Sequence, residues 1–156
     1  MKRILITALS AAITFLAAGS ASAEIEETRS IKTATPPLLV IVTSEDAQVQ
    51  LMSMVLTMQS AQQGADTRVL LCGPAGDLAL RDAPSSVTAA QPPKNMSAQG
   101  LMKTVMQKTQ TQVEVCAIYL PGKGLNQSAL IEGVTAANPA DIAKVMTDKY
   151  TKIASF

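Results

Sequence analysis

The sequence predicts an α/β fold, a three-layer sandwich built around a mostly parallel sheet. Leu38–Val42 and the apolar run inside Thr67–Cys72 are unbroken, as expected of strands buried on both faces of a parallel sheet. Helical stretches separate the apolar runs, with cap and turn residues at the junctions. Strands and helices that alternate in this way join through right-handed crossovers, which put helices on both faces of the sheet.

Taken in order, residues 1–23 read as a signal peptide. Lys2 and Arg3 form a charged start, Ile4 to Ala18 an apolar core, and Ala21-Ser22-Ala23 a small-residue cleavage site. That core is shorter than the roughly 20 residues needed to cross a bilayer, and no cysteine follows it as a lipid acceptor. The expectation is an exported chain, periplasmic or otherwise outside the cytoplasm, with no stable membrane anchor after cleavage. Residues 24–37 are polar, end in Thr35-Pro36-Pro37 and read as a flexible lead-in. Residues 38–156 form a single domain.

Within the domain, Thr43 and Asp46 resemble a capping box that starts a helix over Ala47 to Gln63. Val49, Met52 and Leu56 keep no single narrow stripe on that helix, Leu51, Met54, Val55 and Met58 broaden it into a wide apolar face, and Gly64 stops it. After the second strand, Cys72-Gly73-Pro74-Ala75-Gly76 forms a break and Asp77 to Leu80 a short helical turn. Arg81 to Asn95 contains Pro84, Pro92 and Pro93 and reads as a surface loop, long enough for a lid or partner segment. Ser97 caps a helix reaching about Gln107. Val113, Val115 and Ala117 alternate as a strand that carries Cys116 near its end. A turn at Pro121, Gly122 and Gly124 precedes a short helix over Gln127 to Glu132. Asn138 and Pro139 start a helix to about Asp148, and Tyr150 to Ser155 closes the chain as a strand.

Composition narrows the chemistry. Removing 23 of 156 residues leaves 133, enough for one core. The charge moves from +1 to −1, because Lys2 and Arg3 leave and no acid does. A near-neutral chain with two Phe, two Tyr and no Trp offers neither the charge nor the stacking that nucleic acid needs. It contains no His, which excludes a Ser-His-Asp triad, a Cys-His pair and a histidine metal site. No cofactor or metal centre is expected.

Cys116 is the leading candidate residue. It lies where a strand gives way to a loop, the edge at which open α/β sheets bind ligands. Lys123 and the N-terminus of the next helix would favour its thiolate. Cys116 followed by Gly122-Lys123-Gly124, the run Leu130-Ile131-Glu132-Gly133-Val134 and the closing Lys152-Ile153-Ala154-Ser155-Phe156 together resemble the DsrE/YchN-like family over Leu38 to Phe156. The resemblance implies a five-stranded sheet and a Cys116 that carries a persulfide or acts as a redox thiol, with Gly122, Lys123 and Gly124 as its supporting loop. It also implies a homo-oligomer, trimer or hexamer, and a protein that donates or accepts sulfur. The loop after the first strand departs from the family, reading Thr43-Ser44-Glu45-Asp46 where Gly, Pro and Tyr are frequent. Tyr119 stands where one relative has a second cysteine.

Cys72 is the remaining supporting candidate. If its strand neighbours that of Cys116, a spacing of about 5 Å puts a disulfide within reach; an intervening strand makes it about 10 Å. Two other functions fit the same residues. One is a non-catalytic oligomeric binding module with structural cysteines. The other is a copper binder using Cys116 with methionines such as Met52, Met54, Met58, Met96, Met102, Met106 and Met146. The wide apolar face of the first helix and the Met102/Met106 pair point to an oligomer surface.

Overall fold

A computed structural model describes residues 35–156. The expected signal peptide, and the lead-in up to residue 34, lie outside the described residues. Thr35 to Pro37 run without regular structure into the first strand, as the two prolines dictate.

Five strands form one all-parallel sheet. They are β1 (Leu38–Val42), β2 (Thr67–Leu71), β3 (Gln112–Val115), β4 (Thr135–Ala136) and β5 (Lys152–Ser155). The order is β4-β3-β2-β1-β5, so β1 is central and has β2 and β5 as neighbours. Two expected strands are shorter than their patterns, and β4 joins the edge with two exposed residues that carry no apolar signature.

The period-2 geometry of the strands sorts their side chains between two cores. Val40, Val42, Val69, Leu71, Val113 and Val115 point to one face, where they pack with Met54, Met58, Leu101, Met102 and Val105. These last residues belong to α1 (Ala47–Gln62) and α3 (Ala98–Lys108). Leu39 and Leu70 point to the other face and meet Ile142 of α5 (Pro139–Thr147). Helices thus cover both faces, which gives the expected three layers. On the α5 face, the Arg68 guanidinium donates to the Glu114 carboxylate at 2.5 Å across β2 and β3. A short helix, α2 (Ser85–Thr88), interrupts the expected long loop, and after β3 one helical turn, α4 (Tyr119–Gly122), leads into the expected turn at Gly124.

The caps are local chemistry. Asp46 Oδ1 accepts from Gln48 and Val49 N–H at 2.9 Å, and it alone caps α1 rather than a Thr43 capping box. Ser97 Oγ accepts from Gly100 N–H, and Asn138 Oδ1 from Ala140 N–H. Gly64, at φ +89°, turns the chain out of α1 in the left-handed region that glycine adopts without strain.

The orientation of α1 differs from a simple apolar-in arrangement. Gln50, Ser53 and Thr57 are buried, and Ser53 and Thr57 satisfy their hydroxyls on carbonyls within the helix. Val49, Met52 and Leu56 are exposed at helical spacing, and Ala47–Gln62 contains no charged residue. Met54 and Met58 do face the core, while Leu51 and Val55 are partly buried against it. The helix therefore has apolar residues on both sides, which is why its pattern shows no single narrow stripe.

Candidate functional site

The carboxyl ends of β2 and β3 bring the two cysteines together. Leu71 pairs with Val115 in parallel register, so the next residues, Cys72 and Cys116, stand side by side just past the strands. The backbone ladder continues through them: Cys72 N–H donates to Val42 O at 2.9 Å and Cys116 N–H to Leu71 O at 2.8 Å. Their Cα atoms are 5.1 Å apart and the two sulfurs are joined as a disulfide. That Cα distance lies in the range a disulfide spans without backbone movement. Of the two strand orders left open by the sequence, the neighbouring one holds. Both cysteines are partly exposed.

Each cysteine is followed by a short helical segment, and the two segments build a shared wall. After Cys72, Gly73–Ala79 forms a 3₁₀ helix carrying Asp77. After Cys116 comes the single turn α4, which carries Tyr119 and ends at Lys123. The Tyr119 hydroxyl donates to Asp77 Oδ1 at 2.6 Å, and the Lys123 ammonium pairs with the same oxygen. Lys123 Nζ also lies 5.5 Å from the centre of the Tyr119 ring. Gly76 makes this contact possible, because a Cβ there would overlap the ring. Burial first, and then the hydrogen bond and negative charge of Asp77, push the Tyr119 phenol well above its ordinary range.

An open pocket of about 600 Å³ lies over the disulfide. Its surface is mostly apolar, and Pro74, Ile118, Asp77, Tyr119 and Lys123 are among the residues that line it. Ile118 is 81% exposed.

With a parallel sheet in this order the fold is similar to the solved structure of the YchN protein from E. coli. The TM-score is 0.61 at 17% sequence identity, and the match covers 78% of this chain and 99% of that one. The chain has a DsrE/YchN-like fold. It is also similar to the structure of MTH1491 from Methanobacterium thermoautotrophicum, a protein of unknown function, with a TM-score of 0.54 at 14% identity, covering 77% of this chain and 99% of that one. At these identities the likeness is one of fold. No family model matches the chain, and no curated protein matches it.

On the DsrE/YchN-like framework, the expected site residues fall into two groups. Cys116, Cys72, Gly122 and Lys123 line the same pocket. Gly124 does not line it; at φ +66° it closes the turn after α4, with its N–H donating to Pro121 O. Two features of the local environment correct the sequence reading. The helix expected over Gln127 to Glu132 is a single 3₁₀ turn, Gln127–Ala129, and α4 is one turn long, so no helix dipole of consequence reaches Cys116. Lys123 is neutralised by Asp77 instead of standing as a bare positive charge beside the thiol.

Asp77 and Tyr119 were not among the site residues expected from the sequence. Their signal was weak but present, since each follows its cysteine within one or two turns of chain. The methionines do not converge on this pocket. Met54, Met58 and Met102 are buried in the core, whereas Met52 and Met146 are exposed on different helices. Among the described residues, no group of three or more His, Cys, Asp or Glu is placed to hold a metal ion.

Proposed function

We propose that this chain is an exported protein that handles sulfur or thiols, with Cys116 accepting sulfur as a persulfide or cycling as a redox thiol. The observation that carries this reading is the placement of Cys116. It stands partly exposed at the carboxyl edge of the sheet, beside a second cysteine and under an open pocket. A sulfur that reacts with partners needs this access, and a cysteine sealed in a core does not have it. With no His in the chain, thiolate formation depends on nearby charge, and Lys123 and Asp77 oppose one another there. Export rests on the pattern of residues 1–23, and the donor or acceptor is a separate protein that docks over Ile118 and Pro74.

The test is alkylation of the reduced protein as a function of pH, on Cys72→Ser and Cys116→Ser. The reading expects the thiol at Cys116 to react at a rate typical of an accessible thiol and to gain about 32 Da from a persulfide donor. A Cys116 that stays unreactive while the fold is intact overturns it. A second reading, a non-catalytic oligomeric module with a structural disulfide, is favoured by the bond closing β2 onto β3. It expects no sulfur uptake by either variant.

The same reading includes a homo-oligomer. Val49, Met52 and Leu56 make an exposed apolar stripe on an uncharged helix, and a second copy of the chain would cover it.

A further inference from the structure

A persulfide on Cys116 would keep the Cys116 Sγ as its inner sulfur, the atom to which Cys72 is bonded in the disulfide. Neighbouring, hydrogen-bonded strands hold the two residues at a Cα separation of 5.1 Å. No backbone movement is therefore needed for the Cys72 sulfur to meet that atom. We propose that Cys72 is a resolving thiol, which converts a Cys116 persulfide into the Cys72–Cys116 disulfide and releases sulfide. This inference rests on the reading of Cys116 as a sulfur acceptor, and adds to it an activity: two-electron reduction of sulfane sulfur.

A persulfide or polysulfide donor passes its outer sulfur to the Cys116 thiolate and leaves as a thiol or a shorter polysulfide. The Cys72 thiol gives its proton to water, and its thiolate attacks Cys116 Sγ. The bond between Sγ and the outer sulfur breaks, and the electron pair departs with the outer sulfur, which takes a proton back from water and leaves as HS⁻. The sulfane sulfur gains two electrons and the two cysteines lose two as their disulfide forms. A dithiol reductant returns the pair to its reduced state by ordinary thiol–disulfide exchange.

The pocket geometry fits this chemistry. The outer sulfur departs into the open pocket that lies over the two cysteines. Cys72 is held beside its target by the sheet, and a positioned intramolecular group outcompetes free thiols by a wide margin. A persulfide at Cys116 is therefore short-lived whenever Cys72 is reduced, and long-lived only when Cys72 is blocked. Attack on the outer sulfur instead would move the sulfur to Cys72 and leave the total mass unchanged, so mass distinguishes the two routes.

The experiment uses the reduced full chain, freed of reductant under anaerobic conditions and treated with sodium tetrasulfide. Intact mass is followed in time, with circular dichroism to verify each variant's fold. The wild type is expected to finish about 2 Da below its reduced mass, and Cys72→Ser to hold a gain of about 32 Da. Cys116→Ser is expected to do neither. A wild type that holds the gain with both backbones folded overturns the resolving role and leaves the sulfur-acceptor reading standing. A Cys116→Ser chain that gains sulfur while Cys72→Ser does not overturns the assignment of roles. If neither Cys72→Ser nor the wild type changes mass, the acceptor reading itself fails, and this inference with it. Disulfide formation in the wild type without sulfur uptake by Cys72→Ser also overturns the proposal.

Discussion

Reduction of the Cys72–Cys116 bond should lower the stability of the fold by about 4 kcal/mol. The two cysteines are 44 residues apart in sequence. In the chain-entropy account, closing a loop of that length removes about 13 cal/mol/K from the unfolded ensemble, or about 4 kcal/mol at 25 °C. Against a total stability of roughly 5–15 kcal/mol for such a domain, this is a large share. The assay is urea unfolding of the purified protein, oxidised and then reduced, at one fixed protein concentration so that self-association cancels. With an m-value of about 1.5 kcal/mol/M, the midpoint should fall by roughly 2–3 M urea. The Cys72→Ser/Cys116→Ser double variant should match the reduced protein and be indifferent to reductant. Midpoints of oxidised and reduced protein that agree within about 0.5 M would refute the reasoning. They would mean that the unfolded chain gains little freedom when the bond opens.

Three further outcomes are expected. Gly76→Ala places a methyl in the Tyr119 ring, so it should cost about 1–3 kcal/mol by denaturant unfolding; an unchanged midpoint would show that the ring has room to move. Tyr119 is held protonated by burial and by Asp77, so the ultraviolet titration step that Tyr119→Phe removes should lie well above pH 10. A phenol whose folded pKa is raised contributes stability that is complete below about pH 10 and is lost as pH climbs above it, and a variant that loses a step near pH 10 would contradict this. Met52→Lys with Leu56→Glu puts charge on the exposed stripe of α1, so light scattering should shift from an oligomer mass to a monomer mass with helicity unchanged; wild type that is already monomeric at micromolar concentration would remove the basis for the stripe as an interface.

Much of the fold was legible in the sequence because its signals are short in range. Asp46, Ser97 and Asn138 bond to amides two or three residues ahead, and Gly64 needs only its own backbone freedom to end α1. The apolar runs of β1 and β2 announce burial on both faces whatever lies around them. The position of Cys116 just past a strand followed from the alternation of Val113 and Val115.

Tertiary structure decided what depends on distant residues meeting. Strand order is set by how crossovers pack, so only the folded sheet places Cys72 next to Cys116 across 44 residues of chain. Asp77 meets Tyr119 and Lys123 in the same way, across 42 and 46 residues, and thereby cancels the charge that the local sequence assigned to the thiol. The edge strand β4 is held by backbone pairing to β3, and its two exposed residues carry no pattern of their own. In α1, Val49, Met52 and Leu56 compete with Met54 and Met58 for the interior. A helix with apolar residues all around has no preferred face until α3 and the sheet select one.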